Sequence, residues 1–265
     1  MTMIPSVVPP LATKNRWSRP LTSADPLTWL AKGWQDFTTE TAMSLAYGVL
    51  VFLVSVILVG GLIALGRDYI LFPVFAGFMV IGPVLAVGLY EKSRRIEAGL
   101  PLSWRNIFFV RARSGGQILF TGVLLCLLMM VWMRAAVLIY ALFFGLLPFP
   151  GLYHIAPMLF TTQTGCAMLV VGTAVGGLFA AFSFAISAFS IPMLVNEPVD
   201  ALTAMGSSMA LVWNNLRVLL IWATMVLVLF LICLATGMLG LIVIYPLLGH
   251  ATWHAYRAVQ PGALQ

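Results

Sequence analysis

The chain contains the run QILFTGVLLCLLMMVWMRAAVLIYALFFGLL, residues 117–147, in which Arg134 is the single charged residue. About 20 consecutive apolar residues are enough for an α-helix to cross the hydrocarbon core of a bilayer. Five further apolar runs lie at about 43–65, 70–90, 166–194, 216–235 and 237–256. The sequence therefore predicts an all-α fold, a polytopic membrane helical bundle with about six transmembrane helices.

The composition supports the same class of protein. Hydrophobic residues make up 62% of the 265 residues, charged residues make up 8%, and the mean hydropathy is +1.03. A soluble domain typically has about 25% charged residues. A water-soluble fold is excluded on these grounds.

The basic residues are concentrated in a few connecting segments. Four precede the first run, and six lie between the second and third: Lys92, Arg94, Arg95, Arg105, Arg111 and Arg113. Segments rich in Lys and Arg stay on the cytoplasmic side, so both termini are predicted to be cytoplasmic. The net charge of +6 has this simple cause and does not call for a nucleic-acid partner.

Three regions are predicted along the chain. Residues 1–40 form a cytoplasmic N-terminal arm with a short amphipathic segment, in which Trp29 and Trp34 suit the headgroup layer. Residues 41–257 form the six-helix transmembrane domain, and residues 258–265 form a cytoplasmic tail. The arm has no apolar region ending at a small-residue cleavage site, so a cleaved signal peptide is not expected.

Two cytoplasmic loops each carry a predicted short surface helix. The first follows residues 100–104, and the second follows residues 196–200, where Asn196 is a candidate cap. In the second, Leu202, Met205, Met209 and Trp213 recur at helical spacing, which is typical of a helix lying on a membrane surface. The shared layout favours either an internal duplication or two short loops that both lie on the membrane.

Arg134 is the main candidate site residue, because an ionisable side chain at membrane depth is costly and often functional. Two interpretations remain open. Arg134 extends to the headgroups or pairs with Asp68, or it binds an anion, a lipid or a partner protein.

His250 and His254 lie four residues apart on the last predicted helix, next to Trp253. They share one face and could therefore bind a metal or haem, but two histidines alone are a weak signal. Interfacial hydrogen bonding fits their position equally well. We expect no cofactor and no metal. The cysteines Cys126, Cys166 and Cys233 lack paired or ligand spacing and are interpreted as small core residues.

Several small and kinking residues occur within the runs. Gly60, Gly61, Gly172, Gly176 and Gly177 allow close helix packing, and Ser183, Ser187 and Ser190 are candidates for interhelical hydrogen bonds. Pro83 and Pro192 predict kinks in the second and fourth spans, which either line a cavity or merely tilt the helices. The chain has no recognisable catalytic motif, so we expect no catalytic residues and no enzymatic activity.

Five segments resemble one known family: GPVLAVGLYEKSRR (82–95), YALFFG (140–145), FSIPML (189–194), VDA (199–201) and GHATWH (249–254). They look like the bacterial family catalogued as domain of unknown function 2189, over roughly residues 34–257. The resemblance implies an integral protein of the bacterial inner membrane. It implies no activity, substrate or catalytic residue.

Two functions remain open from the sequence. The first is a non-catalytic accessory or assembly component that docks on another membrane complex, respiratory or energy-transducing, with membrane lipids and other membrane subunits as partners. Arg134, Trp213 and Trp253 are its candidate lipid or partner contacts. The alternative is a small transporter, channel or lipid-handling protein with a pathway near Arg134 and the proline-kinked spans.

Overall fold

The structure is a computed structural model that describes residues 15, 17–145 and 151–260, except for the side chains of residues 68, 152 and 153. Every regular element in these residues is helical. The α-helices are α1 (Asp25–Thr38), α2 (Thr41–Ala64), α3 (Leu71–Leu85), α4 (Val87–Glu97), α5 (Trp104–Phe108), α6 (Gly115–Phe144), α7 (Leu152–Thr161), α8 (Gln163–Ser187), α9 (Ser190–Asn196), α10 (Ala201–Asn214), α11 (Leu216–Ala235) and α12 (Leu241–Val259). A short 3-10 helix, Asp68–Ile70, precedes α3.

Five helical stretches among the described residues are long and apolar enough to cross a membrane. They are α2, α3 with α4, α6, α8 with α9, and α11. They coincide with the first five apolar runs of the sequence. The prediction of a multi-pass, all-α membrane protein is therefore confirmed.

Helix α12 covers most of the sixth predicted span but is less apolar than the other five. It contains Pro246, two histidines and Arg257, and it packs against α1, α2 and α4. Protein rather than lipid surrounds much of this helix, so its outer surface has less need to be apolar. The count of six spans and the cytoplasmic placement of both termini stay predictions.

The second and fourth spans are each interrupted near the expected proline. Helix α3 ends two residues after Pro83, and α4 begins after Ala86. Helix α8 ends at Ser187, and Pro192 lies in the first turn of α9, where its missing N–H costs no hydrogen bond. The segment after Tyr90, expected as a loop, instead continues as helix to Glu97.

Helix α1 does not lie free on the membrane surface, which corrects the expectation for Trp29. The Trp29 side chain is only 3% exposed and meets Trp222 edge-on, with ring centroids 5.8 Å apart. At Gly33, an added Cβ would lie 2.7 Å from the backbone nitrogen of Ala251 on α12. The absence of a side chain at Gly33 thus lets α1 pack directly on α12.

The two predicted surface helices are present as α5 and α10. Ser103 caps α5 by accepting a hydrogen bond from the backbone N–H of Asn106. Asp200, rather than Asn196, caps α10, because Asn196 is the last residue of α9. Hydrogen bonds from Thr203 lower the pKa of Asp200, which keeps the capping carboxylate charged.

The cysteines only partly match their expected core positions. Cys233 is buried, whereas Cys126 and Cys166 are exposed on the outer surface of the bundle. Periodicity in an almost wholly apolar helix does not distinguish a lipid-facing side chain from a core side chain, which explains the error.

Candidate functional site: an apolar cavity and a buried polar cluster

An apolar cavity of about 460 Å³ lies between two groups of helices. Helices α3, α6 and α8 pack on one another, and α11 packs on α12. The cavity separates these groups, and most of its wall is aliphatic or aromatic. Its lining includes Met79, Trp132, Phe179, Trp222, Phe230 and Tyr245.

Aromatic contacts join the two groups at one side of the cavity. The ring of Phe78 on α3 stacks on Phe230 of α11 at 5.6 Å and lies 5.8 Å from the ring of Tyr245 on α12. The Tyr245 hydroxyl donates a hydrogen bond of 2.9 Å to the carbonyl of Gly82. These contacts hold α3 against α11 and α12 next to the kink at Pro83.

Two polar atoms on cavity-lining residues have no hydrogen-bond partner among the described residues: Trp132 Nε1 and Ser183 Oγ. Ser183 is 4% exposed, and the ring of Trp132 packs against Phe179 with centroids 5.5 Å apart. Ser183 was expected to bond another helix. An unpaired donor in a dry interior is costly. Neither atom is accessible from the cavity, so both lie in the packing between helices rather than in the cavity wall.

A buried polar cluster lies where α2, α4 and α12 meet. It consists of Ser44, Lys92, Ser93 and His250, none of which is exposed. Lys92 Nζ lies 2.7 Å from Ser44 Oγ, which is 3.1 Å from His250 Nε2, and His250 Nδ1 lies 2.8 Å from Ser93 Oγ. The cluster therefore connects three helices through a continuous chain of hydrogen bonds.

The donors and acceptors in this series of hydrogen bonds can be assigned. A charged lysine only donates, so Ser44 Oγ accepts from Lys92 and directs its own proton at His250 Nε2. Nε2 then carries a lone pair, and Nδ1–H donates to Ser93. This assigns His250 as the neutral tautomer protonated at Nδ1.

Lys92 was counted as a loop charge from the sequence, and its burial was missed. Among the described residues, its one other hydrogen bond is to the carbonyl of Glu40 at 3.3 Å, and no described carboxylate forms an ion pair with it. Helical spacing of Leu89, Lys92 and Ile96 was the available signal that this stretch continues the preceding helix.

Ion pairs surround the cluster at the same end of the bundle. Glu91 accepts hydrogen bonds from Arg94 and Arg95, each at 2.7 Å. His254 Nε2 lies 2.8 Å from Asp36 Oδ2 and so links α12 to α1. Four further hydrogen bonds lie at this end. Trp253 and Arg257 donate to Glu97, and Tyr256 and Gln260 donate to Glu197.

Residues 71–196 match the family model described as "Predicted integral membrane protein (DUF2189)". The resemblance seen in the sequence is confirmed for this segment. No curated protein and no solved structure matches the chain. The DUF2189 segment covers Lys92, Trp132 and Ser183, whereas Ser44 and His250 lie outside it.

The DUF2189 segment also contains Arg134, which is exposed on α6 and is not among the residues that line the cavity. Of the other candidate contacts, Trp213 is 76% exposed on α10. Trp253 is 1% exposed and donates to Glu97, so it faces the protein interior rather than lipid.

Three of the four ring nitrogens of the two histidine candidates have partners within the protein. Both nitrogens of His250 face serine hydroxyls, and His254 Nε2 faces Asp36. Neither arrangement presents a free nitrogen pair to one metal or haem. His154 lies apart, exposed on α7.

Proposed function

We propose that this protein binds an apolar molecule, taken from the lipid phase, in the cavity between the α3, α6, α8 group and the α11, α12 pair. This is the lipid-handling alternative among the functions open from the sequence. The observation that carries it is the cavity itself, about 460 Å³ in volume. Ligand pockets in proteins commonly span about 300 to 1,000 Å³ and have mainly hydrophobic walls.

The location of the cavity supports a ligand that arrives through the membrane. Most of its wall belongs to helices α3, α6, α8 and α11, each of which is part of a stretch long and apolar enough to cross a membrane. A molecule dissolved in the hydrocarbon layer reaches such a wall without crossing water. We propose a non-catalytic role in the bacterial inner membrane, with lipid-like molecules as the primary partners.

The polar cluster supports this function by fixing the frame around the cavity. Tyr90 and Gly249, which lie next to the cluster along α4 and α12, both line the cavity. The bonds of Lys92 and His250 hold these two helices together from the polar end. The hydrogen-bonded cluster thus borders the ligand site at one end, and the stacking of Phe78 on Phe230 closes another side.

A filled cavity tests the proposal. Ala223→Phe places a ring inside the cavity, because Ala223 lines it, whereas Ala174→Phe on α8 adds the same ring to an exposed position outside it. Saturable quenching of tryptophan fluorescence by a bromoalkane in lipid nanodiscs is expected to weaken at least tenfold in the first variant only. Equal binding by both variants would contradict the proposal.

A second function, docking on another membrane protein, is favoured by one specific observation. Arg134 is exposed on α6 between the exposed apolar side chains of Val131, Val137 and Leu138. A guanidinium on an apolar membrane face requires an anionic partner or contact with headgroups. A carboxylate of a neighbouring membrane subunit would meet this requirement.

Arg134→Leu tests the docking function against Arg67→Leu, another exposed arginine that precedes α3. Purification in mild detergent followed by mass spectrometry is expected to recover one recurrent membrane partner with the wild type and with Arg67→Leu, but not with Arg134→Leu. A lone monomer in every detergent would count against docking.

A further inference from the structure

We infer that residues 104–113 form a binding surface for the headgroups of anionic phospholipids at one end of the helix bundle. This inference goes beyond the cavity function, because no residue of this segment lines the cavity. The juxtaposition that carries it is three exposed arginines beside two exposed aromatic side chains. These residues, here called the α5 basic surface, are Arg105, Arg111, Arg113, Trp104 and Phe109.

The α5 basic surface lies where three apolar stretches end. It belongs to the connection between α4 and α6, and both helices are parts of stretches long and apolar enough to cross a membrane. The backbone N–H groups of Arg113 and Ser114 donate to the carbonyls of Val195 and Leu194 at 3.4 and 3.1 Å. These acceptors lie in α9, which ends a third such stretch. A segment at the ends of three spans lies at a membrane surface rather than in the hydrocarbon.

Helix α5 packs on the bundle with one side and leaves its aromatic side chains outside. Ile107 is buried, and an added Cβ at Gly88 of α4 would lie 2.3 Å from the carbonyl oxygen of Ile107. Trp104 and Phe109 are both exposed. Aromatic side chains are favoured in the headgroup layer, where one part of the ring meets apolar chains and another meets water. The exposed side of α5 therefore suits contact with lipid at the interface.

The three arginines of this surface have no counter-charge within the described protein. No ion pair or hydrogen bond joins their guanidinium groups to another described residue. Residues 98–196 contain no Asp or Glu. Of the glutamates just before this segment, Glu91 already binds two arginines of its own helix, and Glu97 binds Arg257. Three positive charges are thus left for an external anion.

An anionic phospholipid matches both the charge and the location of this surface. A guanidinium forms paired hydrogen bonds with phosphate oxygens, and an anionic leaflet attracts basic segments close to the membrane. A zwitterionic phospholipid also carries a phosphate, but its own cation offsets the attraction. An acidic soluble protein would neutralise the arginines, yet it would not use aromatic side chains placed beside the hydrocarbon. We therefore assign the surface to anionic lipid.

The test measures lipid preference by native mass spectrometry of the full chain in a neutral detergent, titrated with phosphatidylglycerol or phosphatidylcholine of the same acyl chains. The wild type is expected to bind phosphatidylglycerol about tenfold more tightly than phosphatidylcholine, because only the former has an uncompensated charge. The triple variant Arg105→Gln, Arg111→Gln, Arg113→Gln is expected to lose most of this preference. Its binding of phosphatidylcholine is expected to stay within about twofold of the wild type.

Two further triple variants separate local recognition from net charge and from damage to the fold. Replacing the same three arginines by lysine keeps the charge and is expected to keep most of the preference. Lys32→Gln, Arg67→Gln, Arg217→Gln removes three positive charges from exposed positions outside the segment and is expected to keep it as well. Gel filtration of each variant verifies that the protein remains folded and monodisperse.

Each outcome supports or overturns the inference. A preference that is lost in the glutamine variant and kept in the lysine variant and the distant-charge control would support it. Equal affinity of the wild type for both lipids, or a preference that survives in the glutamine variant, would overturn it. An equal loss in the distant-charge control would assign the effect to net charge and also overturn it. An acidic protein bound through these arginines, with no lipid preference, would overturn it in favour of protein docking.

Discussion

Lys92 Nζ donates a hydrogen bond of 2.7 Å to Ser44 Oγ, at a point where neither side chain is exposed. The bond joins α4 to α2, and through His250 it extends to α12. A buried ammonium without a carboxylate partner depends on such neutral acceptors, because each unmet hydrogen bond leaves part of the desolvation cost uncompensated.

Removing the shared acceptor in this cluster is expected to destabilise the bundle. Ser44→Ala takes away an acceptor of Lys92 and a partner of His250, so we expect a loss of roughly 1 to 3 kcal/mol in the free energy of unfolding. The thermal midpoint in detergent measures this loss. Ser55→Ala, on the same helix, has no described hydrogen bond to lose and is the control; an equal shift in both variants would contradict the assigned role of Ser44.

The two glutamates of α4 are expected to differ in their contribution to stability. The Glu91 side chain is 4% exposed and binds two arginines, whereas Glu97 and its partner Arg257 are 40% and 38% exposed. Glu91→Gln is expected to cost about 2 kcal/mol, because it leaves partly buried guanidinium groups without a counter-charge. Glu97→Gln is expected to cost less than about 1 kcal/mol. Chemical denaturation of the two variants measures the difference, and a larger effect at Glu97 would refute the ranking.

Two glycines of α2 are expected to respond in opposite ways to alanine. A Cβ at Gly48 would lie 2.1 Å from the carbonyl oxygen of Ile242, whereas a Cβ at Gly61 would meet nothing within 4 Å. Gly48→Ala is therefore expected to lower the unfolding free energy by about 1 to 3 kcal/mol through overpacking. Gly61→Ala is expected to keep or raise the thermal midpoint. Loss of a co-purifying partner in Gly61→Ala alone would assign this open face to docking.

Much of this architecture follows from the sequence. The apolar runs located α2, α6 and α11 within a few residues, and Pro83 and Pro192 indicated where the second and fourth spans break. These features are predictable because they depend on local chemistry: hydrocarbon thickness sets the length of a span, and proline lacks the N–H that continues a helix.

The placement of individual side chains was less predictable. Lys92 was assigned to a loop because charge usually marks the end of a span, yet α4 continues and buries this lysine against α2. Trp29 was assigned to the headgroup layer, yet α1 packs on α12 and covers it. The pairing of Ser44 with His250 joins residues far apart in the chain, and no local pattern encodes it.

The cap of α10 is expected to respond to pH in one direction. Hydrogen bonds from the side chain and backbone of Thr203 lower the pKa of Asp200 below its ordinary value of 3.8. The stabilisation is fully present above that ordinary value and is lost as pH falls through the lower folded pKa. Hydrogen exchange of the first amides of α10 should accelerate in that acidic range, relative to the intrinsic rate. Asp200→Ala should remove this pH dependence, and a variant that retains it would show that another group controls the cap.

The most direct measurement of the central claim is a cryo-electron microscopy structure of the protein in lipid nanodiscs, resolved well enough to place Trp132 and Trp222. The account predicts an elongated, non-protein density between these two side chains, within the cavity that both line. Direct packing of α11 on α8, with Trp222 against Phe179 and no space between them, would contradict it.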